Sequence, residues 1–97
     1  MTLRVILRDR AQNDLRSAFK WYESVRAGLG AQFLAAVQER LENIAEFPEA
    51  HPVIYRRIRR AVVSRFPYLI FYRPAPARID VLAVLHHARN PARWPSG

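Results

Sequence analysis

His86 and His87 stand side by side near the end of this 97-residue chain, and His51 is the only other histidine. These are the side chains whose ordinary pKa lets them carry a proton near neutral pH. Acid–base chemistry on a phosphate needs such a carrier together with a cation for the developing charge. Arginine supplies the cations, although it stays protonated and makes a poor base. Neighbours on a strand point to opposite faces, so at most one of His86 and His87 can face a given surface. Other chemistries find no footing. With no cysteine, thiol catalysis, disulfides and Cys-based zinc sites are excluded. Adjacent histidines on one strand cannot chelate together, and Asp80 is the one acid nearby, so no metal site is expected. Ser17, Ser24, Ser64 and Ser96 sit in no Gly-x-Ser-x-Gly elbow. Gly28, Gly30 and Gly97 make no phosphate-cradling loop, and no cofactor is expected.

The charge is more informative than the proton carriers. From residue 50 onward the bases are Arg56, Arg57, Arg59, Arg60, Arg65, Arg73, Arg78, Arg89 and Arg93, against the single acid Asp80. The first 49 residues balance seven bases with seven acids, so the whole formal charge of +8 belongs to one half of the chain. A field that lopsided points to an anionic partner: nucleic acid, a nucleoprotein machine or an acidic protein. Four of those bases fall within Arg56-Arg57-Ile58-Arg59-Arg60 and repel one another unless something neutralises them. They read as a partner-contact strip rather than as a solvated edge strand that deters aggregation.

The elements that must position these residues are legible from periodicity. Half of the chain is apolar, enough for one domain spanning 1–97 with residues 88–97 as a C-terminal tail. Leu3, Val5 and Leu7 alternate as a short strand. Asp9 is placed to cap a helix carrying Ala11, Leu15, Ala18, Phe19 and Tyr22 at helical spacing. Gly28 and Gly30 interrupt it, and a second helix buries Phe33, Leu34, Val37, Leu41, Ile44 and Ala45 before Phe47-Pro48 ends it. Val53 to Val63 reads as one strand, with a bulge near Arg60–Ala61 to explain its poor alternation. Phe66 to Arg73 and Arg78 to His87 are strands apolar on both faces, which places them inside a sheet, with Pro74 to Ala77 as the turn between them. The expected fold is α+β in the order β–α–α–β–β–β, a helical hairpin on one face of a small, mostly antiparallel sheet. The opposite face is where basic side chains should collect. No apolar run approaches the ~18 residues of a membrane helix, and no signal peptide is apparent, so the expected location is the cytoplasm.

In that order and at that length the chain resembles the RelE/ParE toxins of bacterial type II toxin–antitoxin systems. The resemblance rests on Asp14-Leu15 with Trp21-Tyr22, on Phe47-Pro48 and on the strand Phe66-Pro67-Tyr68-Leu69-Ile70-Phe71-Tyr72. It rests also on the closing Val84-Leu85-His86-His87-Ala88-Arg89-Asn90-Pro91, where Asn90 replaces the usual Asp. The tail is similar to the ParE side of the family. Such a resemblance implies a growth-inhibiting, plasmid-stabilising toxin neutralised by an acidic antitoxin in a hetero-oligomer. On the ParE side it implies poisoning of DNA gyrase without chemistry of the toxin's own. On the RelE side it implies ribosome-dependent, metal-independent mRNA cleavage, for which Arg59, Arg65, Tyr68, His86 and His87 are the candidates. The target-contact residues expected under the first reading are Arg56, Arg57, Arg59, Arg60, His87, Arg89, Arg93 and Trp94. Trp21, Tyr22, Phe33 and Phe47 read first as core or helix-packing residues, and Trp94 first as an anchor of the tail to the sheet; Trp21, Tyr22 and Phe33, with Arg57 and Arg59, are also the expected antitoxin contacts.

Overall fold

A computed structural model describes residues 2–88, 94 and 95. Strand β1 (Arg4–Leu7) leads into helix α1 (Asp9–Val25) and helix α2 (Leu29–Glu46), followed by β2 (Val53–Tyr55), β3 (Ile58–Val62), β4 (Tyr68–Ala75) and β5 (Arg78–His86). The five strands form one sheet in the order β1-β5-β4-β3-β2. β1 lies parallel to β5, and every other pairing is antiparallel. The two strands that read as apolar on both sides, β4 and β5, are both interior, as burial on both faces requires, and β3 is the third interior strand.

The helical hairpin covers one face of the sheet. Phe33, Val37, Leu41 and Ile44 of α2 and Ala11, Ala18 and Tyr22 of α1 pack on Ala61, Ile70, Tyr72, Ile79, Val81 and Val84. Each fully buried Phe or Ile there contributes roughly 1.5–3 kcal/mol, far more than either helix gains from propensity. The other face carries a smaller cluster of Ile58, Leu69, Phe71 and Ala83, over which Trp94 lies. Alternation along the strands then assigns Arg60, Arg73, Arg78 and Arg4 to this helix-free face.

Three local expectations are corrected. Val53 to Val63 is not one strand but a tight hairpin, turning at Arg56 in the left-handed region (φ 51°). Its poor alternation comes from that reversal and from a register shift between Val53 and Tyr55, not from a bulge at Arg60–Ala61, which pair regularly with Phe71 and Ile70. A further bulge sits between β4 and β5, where Leu82 is the extra residue between Val81 and Ala83. Asp9 is the first residue of α1, not its cap; Arg8 holds that position with no side-chain bond.

The turn between the helices uses both glycines differently. Gly28 adopts φ 89°, a left-handed conformation that favours glycine. Gly30 lies inside α2, where an added Cβ would meet Phe19 and Glu23 side-chain atoms at 2.7 Å. Its N–H donates to Glu23 Oε1 at 2.8 Å, which satisfies one of the open donors at the start of α2.

Candidate functional site

The basic strip divides by strand alternation and by the turn. Arg59 sits mid-strand opposite Tyr72, on the helix side of the sheet. Its guanidinium donates to the carbonyls of His51 (2.7 Å) and Glu49 (3.2 Å), so it clamps the loop between α2 and β2. Tyr72 clamps the same loop from below, donating its hydroxyl to the Pro48 carbonyl at 2.7 Å. Burial pushes the Tyr72 hydroxyl pKa up to about 12, against the nearby Arg59 charge. His51 Nε2 lies 2.9 Å from Asn43 Oδ1, and Arg40 donates to both Asn43 (3.2 Å) and the Val62 carbonyl (2.8 Å). Burial first, then the Arg40 and Arg59 charges, lower the His51 pKa.

Arg56 and Arg57 crown the β2–β3 turn and are exposed. The Arg56 guanidinium stands 5.2 Å from the Tyr55 ring. Two shallow clefts flank the turn. One, of about 220 Å3, is lined by Glu49, Val53, Arg56, Arg57, Arg59 and Pro74. The other, of about 230 Å3, is lined by Arg56, Arg57, Ile58 and Arg73. Arg60 crosses to the helix-free face, its guanidinium 5.6 Å from the Trp94 ring, which packs on Phe71 at 5.3 Å. Trp94 Nε1 is buried with no hydrogen-bond partner among the described residues. Arg89 and Arg93 lie outside the described residues.

The candidates for acid–base work do not form one group. Tyr68 pairs with His86, and His87 N–H donates to the Pro67 carbonyl at 2.8 Å, so Arg65 in the preceding turn shares that end of the sheet. Arg59 lies about 10 Å along β3 from Val62, toward the opposite end. Tyr68 is 5% exposed and packs against Phe33 and Tyr22. His86 Nδ1 accepts the Ala88 N–H at 3.1 Å. The expectation that alternation would part the two histidines fails because β5 ends at His86. The chain turns there, and the two rings stack at 5.4 Å.

The expected antitoxin contacts separate by burial. Tyr22 and Phe33 belong to the core, at 8% and 0% exposure, so their rings offer no docking surface. Trp21 does, at 53%, its ring edge-on to Tyr22. A second apolar surface that sequence reading missed runs between the helices, a groove of about 220 Å3 lined by Gln12, Leu15, Arg16, Phe19 and Leu34. The spacing of Leu34 places it with the inward residues, but it is 39% exposed, at the border of a wide apolar stripe on α2. Among the described residues no three His, Asp or Glu side chains gather as a metal site would require. No helix among them is long and apolar enough to cross a membrane.

The sequence of elements, the helix-covered sheet and the basic open face are those of a small toxin fold, and comparison with known proteins agrees. The family of the ParE toxin of type II toxin–antitoxin systems, parDE, matches residues 5–91. The chain belongs to that family. Toxin ParE2 of Mycobacterium tuberculosis, in strains H37Rv and CDC 1551, is 30% identical over 95 residues, covering 94% of this chain and 88% of the relative. A solved structure described as the chromosomal ParDE TA system from P. aeruginosa superposes with a TM-score of 0.77, covering 88% of this chain and 96% of that one. At 13% identity that likeness speaks for the fold alone.

Proposed function

We propose that this ParE-family toxin arrests growth by poisoning DNA gyrase and that a cognate acidic antitoxin keeps it silent in a toxin–antitoxin hetero-oligomer in the cytoplasm. The observation that carries the reading is the condition of the candidate acid–base groups. Arg59 is tied to two loop carbonyls, Tyr68 is core, and His86 Nδ1 is occupied by a backbone N–H. A basic surface without an assembled proton-transfer set suits binding better than bond-making. Target contact is assigned to Arg56, Arg57, Arg60 and His87, with Arg89, Arg93 and Trp94 of the tail. Antitoxin contact is assigned to the exposed Trp21 and to the mostly apolar groove beside Leu34, a surface of the kind helix-in-groove binding uses.

One observation favours a second reading. Arg65, His86 and His87 share one end of the sheet, where a cation and a proton carrier would serve mRNA cleavage on the ribosome. Induction in a sensitive bacterium without antitoxin separates the two. Early DNA-damage signalling with translation intact supports gyrase poisoning. Immediate loss of translation with cut mRNA, abolished by His86→Ala with His87→Ala, establishes the ribonuclease instead.

A further inference from the structure

We infer that the helix-free face of the sheet binds the phosphodiester backbone of duplex DNA, with Arg57 and Arg73 at the centre of the contact. Arg60, Arg73, Arg78 and Arg4 stand on that face, one from each of β3, β4, β5 and β1. The β2–β3 turn adds Arg56 and Arg57, which border the same cleft as Arg73. The face holds one carboxylate, Asp80, and it is already engaged by Arg8 at 2.6 Å and Arg78 at 3.1 Å. Among the described residues Arg56, Arg57, Arg60 and Arg73 form no ion pair; Glu49 borders the cleft on the other side of Arg56 and Arg57 without pairing with either. The charge of these arginines is open to an external anion.

The shape of the face selects the anion. Four strands span about 14 Å. Duplex DNA carries one phosphate per roughly 3.4 Å of axis on each strand, so about four phosphates of one strand fit that width. An acidic polypeptide would need apolar anchor pockets as well as charge. The clefts between these arginines are shallow, and Ile58 is the single apolar side chain lining the one on this face. Single-stranded nucleic acid would need open aromatic platforms. Here Phe71 is fully buried and Trp94 lies under Arg60. No helix carries the basic excess, so contact is to the backbone and independent of base sequence. The choice of DNA over RNA rests on the gyrase reading; the site itself does not.

The test needs neither gyrase nor ribosome, so its failure is separable from failure of that reading. Full-length toxin is titrated into a fluorescent DNA duplex of arbitrary sequence, and anisotropy is followed over a series of salt concentrations. Arg57→Ala with Arg73→Ala should weaken binding roughly tenfold or more near 0.1 M salt. The slope of log affinity against log salt should shrink by about 2. Lys20→Ala with Arg26→Ala removes the same charge from the helical hairpin and should leave both quantities close to wild type. Circular dichroism checks that both pairs fold. Equal weakening by the two pairs reduces the effect to net charge and overturns the site. So does polyglutamate binding as tightly as the duplex, tighter binding of single-stranded RNA, or no binding at low salt.

Discussion

Asp80 is the one acid of the basic half, and the fold places it inside, 2% exposed, between Arg8 and Arg78. Burial alone would raise its pKa, but hydrogen bonds and charge from Arg78 and Arg8 outweigh that and lower it. Asp80→Asn should cost roughly 1–3 kcal/mol in urea unfolding at pH 7. The smaller end of that range is expected because both guanidinium groups are about half exposed and water screens them. A depressed folded pKa stabilises the protein above the ordinary value near 3.8, and that stability is lost as pH falls through the folded value. Thermal melts of wild type should therefore fall more steeply with acid than those of the variant; parallel curves below pH 5 would sink the assignment. His51 works from the neutral side. Its folded pKa lies below 6.5, so the unfolded chain takes the proton first and stability declines as pH falls from 6.5 toward the folded value. His51→Gln should flatten melting temperature over that window. The singularity of Asp80 was visible in the sequence. Its partnership with Arg8, 72 residues away, was not, because it depends on β1 pairing parallel with β5.

At the scale of elements, apolar spacing carried most of the information. Both helices, the interior position of β4 and β5 and the coverage of one face all follow from which residues must leave water. The reading failed where the chain reverses within a few residues. Between Val53 and Val63 no glycine, proline or Asn-Gly pair marks the turn, and Arg56 takes the left-handed conformation instead. The reversal matters for the site, since it gathers Arg56 and Arg57 at a tip rather than spreading them along a strand. The helical turn offers a sharper test. Gly30→Ala gains up to about 1 kcal/mol of helix propensity, yet its Cβ must displace Phe19 and Glu23. Overpacking of that kind costs roughly 1–3 kcal/mol, so a net loss is expected. Gly28→Ala meets no atom within 4 Å and carries only the left-handed backbone penalty of about 1–2 kcal/mol. In the folded protein Gly30→Ala should also loosen the Glu23 contact, seen as faster amide exchange at Gly30's neighbours in α2; unchanged exchange together with raised stability would contradict the packing account.

Across the whole molecule, two surfaces differ in character. The helical hairpin, residues 9–46, sets six acids against five bases and exposes Trp21 and the groove beside Leu34. The sheet side and the β2–β3 tip carry the arginines. The charge imbalance was legible from composition, but its concentration on one face needed strand register, which a slip of one residue would have inverted. Under the proposed function, an antitoxin sits on the first surface while the second stays shaped for a target. The measurement that tests the central claim most directly is a gyrase reaction with relaxed plasmid and ATP, quenched with denaturant, as purified toxin is titrated in. Gyrase poisoning predicts falling supercoiling with linear plasmid accumulating as the toxin rises. Undiminished supercoiling at a large excess of toxin, with the same preparation cutting mRNA on translating ribosomes, would contradict it.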